Sequence, residues 1–176
     1  MKKSTLYLIL FLLFGVINSC KEQKNQKPVN NNEELRETLI KANQVMTQNE
    51  AEEINNYIKR HELIVENTGT GLRYRIKQNG NNILPDQDDV VTIEYKMNLL
   101  DGTVITNGNI DTLQFTMGRA EAPRGLEEGL NLIGEGGDIY LIIPSHLAFG
   151  RTGNDSSVPG NTPVVVNATL INVKKN

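Results

Sequence analysis

The sequence predicts an α+β fold, a curved antiparallel β-sheet wrapped around one short α-helix and preceded by an N-terminal helical segment. Three observations carry this. Alternating strand patterns punctuated by Gly, Pro, Asn and Asp run from Gly69 to the C-terminus. A brief apolar stripe with glycines at each end, Arg124 to Gly137, interrupts them. Apolar residues spaced by three and four occupy 33–63. A chain of 176 residues with 38% apolar content is long enough for one domain of roughly 100 residues plus extensions.

The leading residues point to export. Lys2 and Lys3 precede an apolar run from Leu6 to Ile17, too short to cross ~30 Å of hydrocarbon as a stable helix, so residues 1–19 read as a cleaved signal. The stretch Val16-Ile17-Asn18-Ser19-Cys20 resembles the bacterial lipobox. That resemblance implies that the Cys20 thiol takes a diacylglycerol and becomes the new N-terminus. A single cysteine otherwise unused in an exported chain fits lipidation.

Removal of 1–19 leaves 16 basic and 21 acidic residues, a net charge of −5. This argues against nucleic acid or an anionic lipid surface as partner, and leaves acyl chains at Cys20 to hold the protein to a membrane. Residues 20–32 follow as a tether in which Val29 is the one aliphatic side chain; such a polar stretch stays unfolded and reaches roughly 20 Å. Lys21 directly after Cys20 resembles lipoproteins forwarded to an outer membrane, and Lys21-Glu22 resembles the surface-export signals of some gliding bacteria. The expected location is the bacterial cell envelope, at the outer membrane, with its periplasmic or surface face left open.

Across 33–63, Leu35, Leu39, Ala42 and Met46, then Ile54, Tyr57 and Ile58, fall at helical spacing. Thr47 to Glu50 has the form of a capping box, which predicts two consecutive helices rather than one rod. Such a leader serves either as an arm for homodimerisation or client gripping, or as a spacer packed on the domain edge.

Residues 69–176 form the expected domain. Leu72 to Ile76 alternates, and from Val90 onward Val91, Ile93, Tyr95, Met97 and Leu99 face one way while Thr92, Glu94, Lys96 and Asn98 face the other. Asp101-Gly102 is a hairpin signal, left by an extended stretch with Val104 and Ile105. Further strands are expected over Leu113 to Met117, Ile139 to Ile143 and Val164 to Val173. Leu126, Leu130 and Ile133 stand at i, i+4 and i+7, so a helix begun by Gly125 and ended by Gly134 can cross the concave face of the sheet. Helix and strands then leave an open cup lined by apolar side chains, the default place for a ligand.

Four stretches identify a relationship: Val91 to Asp101 followed by Gly102, Phe115-Thr116-Met117-Gly118, Arg124-Gly125-Leu126-Glu127-Glu128-Gly129, and Ile142-Ile143-Pro144-Ser145-His146-Leu147-Ala148-Phe149-Gly150. In this order and spacing they resemble the FK506-binding-protein class of peptidyl-prolyl isomerases, over residues 69–176. With the lipidated tether and helical leader, the chain is also similar to the gliding-motility-associated isomerase lipoproteins of gliding bacteria. The resemblance implies an FKBP-like half barrel, prolyl cis-trans isomerisation of proline-containing polypeptide clients, and no cofactor or metal. Tyr95, Phe115, Phe149 and Val158 match wall positions of the family's pocket, Ile105 and Leu126 stand at two further catalytic positions, and Leu113, Ala122, Pro123 and Val166 match substrate-binding positions.

Several matched positions carry unusual residues. Ile105-Thr106 stands where the family usually has Phe-Asp, Leu126 replaces the floor tryptophan, and Leu113 and Val166 replace rings. Pro123 lacks the backbone N–H that usually holds a substrate carbonyl, and Phe149 lacks a tyrosine hydroxyl. The expected activity is therefore weak, with poor macrolide binding; the competing expectation is a non-catalytic chaperone or binding module on the same fold. Metal or hydrolytic chemistry is set aside, because His61 and His146 lie far apart and Asp86-Gln87-Asp88-Asp89 lacks the glycine and terminal glutamate of a calcium loop. Glu127 and Glu128 point about 100° apart and read as a solvated helix start, and Asn154 to Ser157 reads as a mobile loop at the cup's rim.

Overall fold

The computed structural model describes residues 31–107, 110–154 and 157–176. The expected signal 1–19, the lipidation residue Cys20 and the tether up to Asn30 lie outside the described residues, as do Asp155 and Ser156 of the rim loop.

One uninterrupted helix, α1 (Asn31–Arg60), stands where two were expected, and it takes in Asn31 and Asn32 from the tether. The reason is that neither capping-box side chain caps. The Thr47 hydroxyl donates to the Asn43 carbonyl one turn back, at 2.9 Å, a bond compatible with continuing helix. Glu50 accepts hydrogen bonds from Ser145 instead of reaching back to Thr47. The chain divides into two compact units between Lys41 and Ala42. Within the first, Leu35, Leu39 and Ile40 are exposed; the second, Ala42–Asn176, contains the rest of α1 and the sheet.

Six strands form one antiparallel sheet: β1 (Glu66–Asn67), β2 (Arg73–Gln78), β3 (Val90–Leu99), β4 (Asp111–Thr116), β5 (Asp138–Ile143) and β6 (Val164–Lys174), in the order β1-β2-β5-β6-β3-β4. The two-residue β1 was absent from the sequence expectation because it precedes Gly69 and is too short for periodicity to register. β3 pairs with β6 along its whole length, Val90 with Lys174 through to Leu99 with Val164, with a register shift at Thr92/Ile93 that leaves Ile171 unpaired. A second shift lies at Ile76/Gln78 between β2 and β5. Extra residues of this kind sharpen local twist and let a sheet curve.

Strand β5 reads Asp-Ile-Tyr-Leu-Ile-Ile and is apolar on both faces because both are covered. Ile139, Leu141 and Ile143 join the main core with Val91, Ile93, Phe115, Leu126, Leu130 and Leu170. Tyr140 and Ile142 turn the other way and, with Leu100 and Val165, meet Ile54, Tyr57, Ile58 and Leu63. The Tyr57 and Tyr140 hydroxyls bond at 3.1 Å across that contact. The second half of α1 thus packs across the outer face of the sheet.

The short helix α2 (Arg124–Leu130) lies against the main core and presents Gly125, Leu126, Gly129 and Leu130 to it. It stops at Asn131 rather than at Gly134. Ile133 is buried all the same, in the following turn, where Gly134 N–H donates to the Asn79 carbonyl at 2.8 Å. Gly125 and Gly129 have a packing role that the stripe did not reveal: a Cβ on Gly125 would strike Ile143 and Leu147, and one on Gly129 would strike Leu141. We expect Gly125→Ala to destabilise the protein by about 1–3 kcal/mol, as overpacking does. Gly69→Ala, which meets open space, should fall within about 0.5 kcal/mol of wild type. Urea unfolding midpoints measure both.

Candidate functional site

A cavity of about 340 Å³ opens between β3, β4, the start of α2 and the segment after β5. Each wall is placed by a distinct local device. Tyr95 sits mid-strand on β3, opposite Asp111 of β4 and Ala168 of β6. Leu113 lies two residues along β4, opposite Ile93. The Asp101-Gly102 turn, with Gly102 at φ +92°, reverses the chain after β3; Ile105 N–H then donates to the Met97 carbonyl at 2.8 Å, which seats Ile105 beside the cavity.

Pro123 opens α2. Its carbonyl accepts the Leu126 and Glu127 N–H groups at 2.9 and 3.1 Å, and it has no N–H to offer inward. Leu126, fully buried in the first turn, forms the floor. Phe149 comes from the segment after β5, where Pro144 leads into a single 3₁₀ turn, Ser145–Leu147. The Ser145 carbonyl accepts the N–H of Ala148 and of Gly150, so Phe149 is flanked by two amides fixed to one oxygen.

The structure therefore brings together Tyr95, Ile105, Leu113, Pro123, Leu126 and Phe149 around one cavity. Phe115, Val158 and Val166 are instead buried in the main core at 2% exposure or less. Ala122 is half-buried against that core, and none of these four lines the cavity. Val158 is fixed by the rim loop, where the Asn154 side-chain oxygen accepts the Ser157 and Val158 N–H groups and the Asn154 N–H donates to the Val158 carbonyl.

Sequence reasoning passed over much of the polar lining: Asn107, Asp111 and Glu121 border the cavity with Met97, Thr106, Asn154 and Ser157. No local signal marked Asp111: continuing the Asn98–Val104 bridge of the Asp101-Gly102 hairpin would put Asn107 opposite Tyr95, whereas the pairing of β3 with β4 is offset from that register and puts Asp111 there. Glu121 fixes the approach to α2, its carboxylate accepting the Thr116 N–H at 2.8 Å.

Two titrating groups report the local environment. Burial pushes the Tyr95 phenol above the ordinary tyrosine range, and the nearby Asp111 charge adds to the effect; the hydroxyl therefore stays protonated, a donor, through the neutral range. Burial likewise raises Glu127, against a hydrogen bond from the Gly118 backbone and the Arg124 charge. Glu127 is half-buried rather than a solvated helix-start residue, because it tucks under the 118–124 loop. Glu128 accepts the Thr70 hydroxyl at 2.8 Å, and neither glutamate lines the cavity.

A six-stranded antiparallel half barrel crossed by one helix, with a side-chain-lined cup at the helix start, defines a single-helix binding fold. The family model described as FKBP-type peptidyl-prolyl cis-trans isomerase matches residues 81–171, and the chain belongs to that family. The chain is 33% identical over 109 residues to the probable FKBP-type isomerase FkpA of Neisseria meningitidis serogroup B, covering 62% of this chain and 40% of that protein. It is 34% identical over 116 residues to FkpA of Escherichia coli K12, with the same coverages. To the outer membrane protein MIP of Legionella longbeachae it is 30% identical over 106 residues, or 60% of this chain and 46% of that one. The chain thus spans less than half the length of these relatives. The crystal structure of E. coli FkpA superposes with a TM-score of 0.63 at 27% identity, covering 99% of this chain and 83% of that chain. A Pseudomonas syringae isomerase structure shares the fold, with a TM-score of 0.61 at 21% identity over 73% of this chain and 96% of that one.

The cause of the Tyr95 shift is testable. In a tyrosine-labelled sample followed by carbon NMR, the Tyr95 ring should titrate above 10, the ordinary tyrosine value. Asp111→Asn should lower the value only in part, since burial is the larger cause; a full return would assign the shift to charge.

Proposed function

We propose that the cup is a proline pocket and that the chain catalyses peptidyl-prolyl cis-trans isomerisation in exported or cell-surface polypeptides. The observation that carries this reading is the convergence of Tyr95, Ile105, Leu113, Pro123, Leu126 and Phe149 on one small cavity at the start of α2, in a chain of the isomerase family. The X-Pro barrier of ~18–20 kcal/mol comes from amide resonance, so no bond between non-hydrogen atoms has to break and no nucleophile is required. A twisted amide has lost its charge-separated resonance form. A floor of Leu126 walled by Ile105, Leu113 and Phe149 favours that less polar species over the planar one. The Tyr95 hydroxyl is placed to donate to a carbonyl flanking the proline, and Phe149 offers a rigid face to the pyrrolidine ring.

Turnover is expected to be slow. Ile105, Leu113 and Leu126 supply less ring surface than aromatic side chains would, and Pro123 cannot donate. One hydrogen bond lost at the transition state is worth about 1 kcal/mol, roughly fivefold in rate. A second reading, a non-catalytic holding module, is favoured by the polar border of Asp111, Glu121, Asn107 and Asn154, which can grip a chain without desolvating its amide. In either case we place the protein in the bacterial envelope, anchored through acylated Cys20, at the outer membrane. A part in gliding motility belongs to the same reading and rests on resemblance alone. Exposed Leu35, Leu39, Val45 and Met46 of α1 support self-association through the leader.

The deciding experiment is exchange NMR on a panel of proline tetrapeptides that vary the residue before proline. Wild type should accelerate exchange, Phe149→Ala should lower kcat/KM about tenfold, the equivalent of ~1.4 kcal/mol, and Tyr95→Phe about fivefold. No acceleration with any peptide, while aggregation of an unfolded protein is still suppressed, would leave the holding module.

A further inference from the structure

The segment that carries Phe149 hangs from a residue held by the leader helix. Ser145 is buried, at 6% exposure, and its 3₁₀ turn has no side-chain cap of its own. Both of its donors go to one distant carboxylate: the Ser145 N–H donates to Glu50 Oε1, and Ser145 Oγ donates to Glu50 Oε2 at 2.7 Å. Hydrogen bonds to an ionised acceptor are shorter and stronger than neutral ones, and a two-pronged arrangement also fixes orientation. The Ser145 carbonyl in turn accepts the Gly150 N–H at 2.7 Å and the Ala148 N–H at 3.0 Å, so the backbone on either side of Phe149 is tied to the residue that Glu50 grips.

The same face of α1 holds the far end of the segment. Arg151 Nη1 donates to Asn43 Oδ1 at 3.4 Å, and Asn43 lies two helical turns before Glu50. One turn after Glu50, Ile54 is buried with Tyr57, Ile58 and Leu63 against the outer face of the sheet, and it touches neither Ser145 nor the cavity lining. Leu147, inside the gripped segment, backs onto Gly125 of α2, one residue from the cavity floor at Leu126.

We propose that Glu50 is a positioning residue for the proline pocket: through Ser145 its carboxylate sets where Phe149 stands, so a side chain outside the family-matched region 81–171 governs turnover. This inference rests on the proline-pocket reading above. It makes the second half of the leader part of the working site.

The test compares Glu50→Ala, Glu50→Gln, Ser145→Ala and Ile54→Ala with wild type, at a temperature where each is folded. Proline tetrapeptide exchange gives kcat and KM, and NMR reads the Ser145 amide and Phe149 ring signals. Glu50→Ala should shift both signals and lower kcat/KM about tenfold, chiefly through kcat, as expected for loss of a charge-assisted pair. Glu50→Gln, which still accepts one hydrogen bond, should recover part of the loss. Ser145→Ala, which deletes only the hydroxyl bond, should lose about threefold. Ile54→Ala, at least as destabilising by cavity formation, should keep wild-type kcat/KM. An unchanged rate in Glu50→Ala, or an equal loss in Ile54→Ala, overturns the proposal. If Glu50→Ala does not fold, unchanged rates in both Glu50→Gln and Ser145→Ala overturn it. If wild type does not isomerise at all, the isomerase reading falls separately, and an unmoved Phe149 ring in Glu50→Ala still overturns the positioning role.

Discussion

The close approach of α2 to β5 is the contact on which the cup depends. Four residues along a helix advance about 6 Å and two along a strand about 6.6 Å, so Gly125 and Gly129 match Ile143 and Leu141 nearly in step. With no Cβ at either glycine the helix sinks onto the strand, and its two leucines are driven into the core beside it. Leu126 reaches the cavity floor only because of that depth. The turn after α2 is then tied down from two directions, by Asn79 and Ile83 before β3 and by Leu170 of β6, each accepting an N–H from 134–136.

Around this fixed helix the cavity is graded, dry at Leu126 and polar toward Asn107, Asp111, Glu121 and Asn154. The gradient suits a chemistry in which the reacting amide must lose water while the flanking chain stays hydrated. Tyr95 lies at the transition, half-buried, its phenol kept neutral by burial and by Asp111. On the proline-pocket reading, the polar border would compensate for the scarcity of rings in the pocket. Flanking backbone can be gripped by amide and carboxylate groups where aromatic surface is lacking.

Much of the fold was legible because it obeys simple periodicities. The alternation from Val91 to Leu99, the Asp101-Gly102 turn and the stripe of Leu126 and Leu130 each report one local rule; the strand and the turn form within a residue or two of expectation, while the helix ends at Leu130 instead of running on to Gly134. What escaped was non-local. The capping-box pattern of Thr47 and Glu50 is real as a pattern, but a buried Ser145 nearly a hundred positions away outcompetes the local bond. The site was legible to the extent that family motifs mark strand and helix positions. Whether a matched position lines the cavity or sits in the core, as Phe115 and Val166 do, depends on sheet curvature, which no short motif encodes. The carboxylates of the border were hidden for the related reason that register is a property of two strands at once.

The outer face of the sheet sets how the working part of this protein can be cut free. Tyr140, Ile142 and Val165 are shielded from water by Ile54, Tyr57, Ile58 and Leu63, so the smallest autonomous fragment is delimited by that covering helix and not by the edge of the family match at residue 81. A fragment starting after Arg60 would carry a bare aliphatic strip on a sheet and would stick to its own copies or to surfaces. One starting near Ala42 keeps the strip roofed. The leader is thereby a folding element in its own right, whatever else it reaches toward.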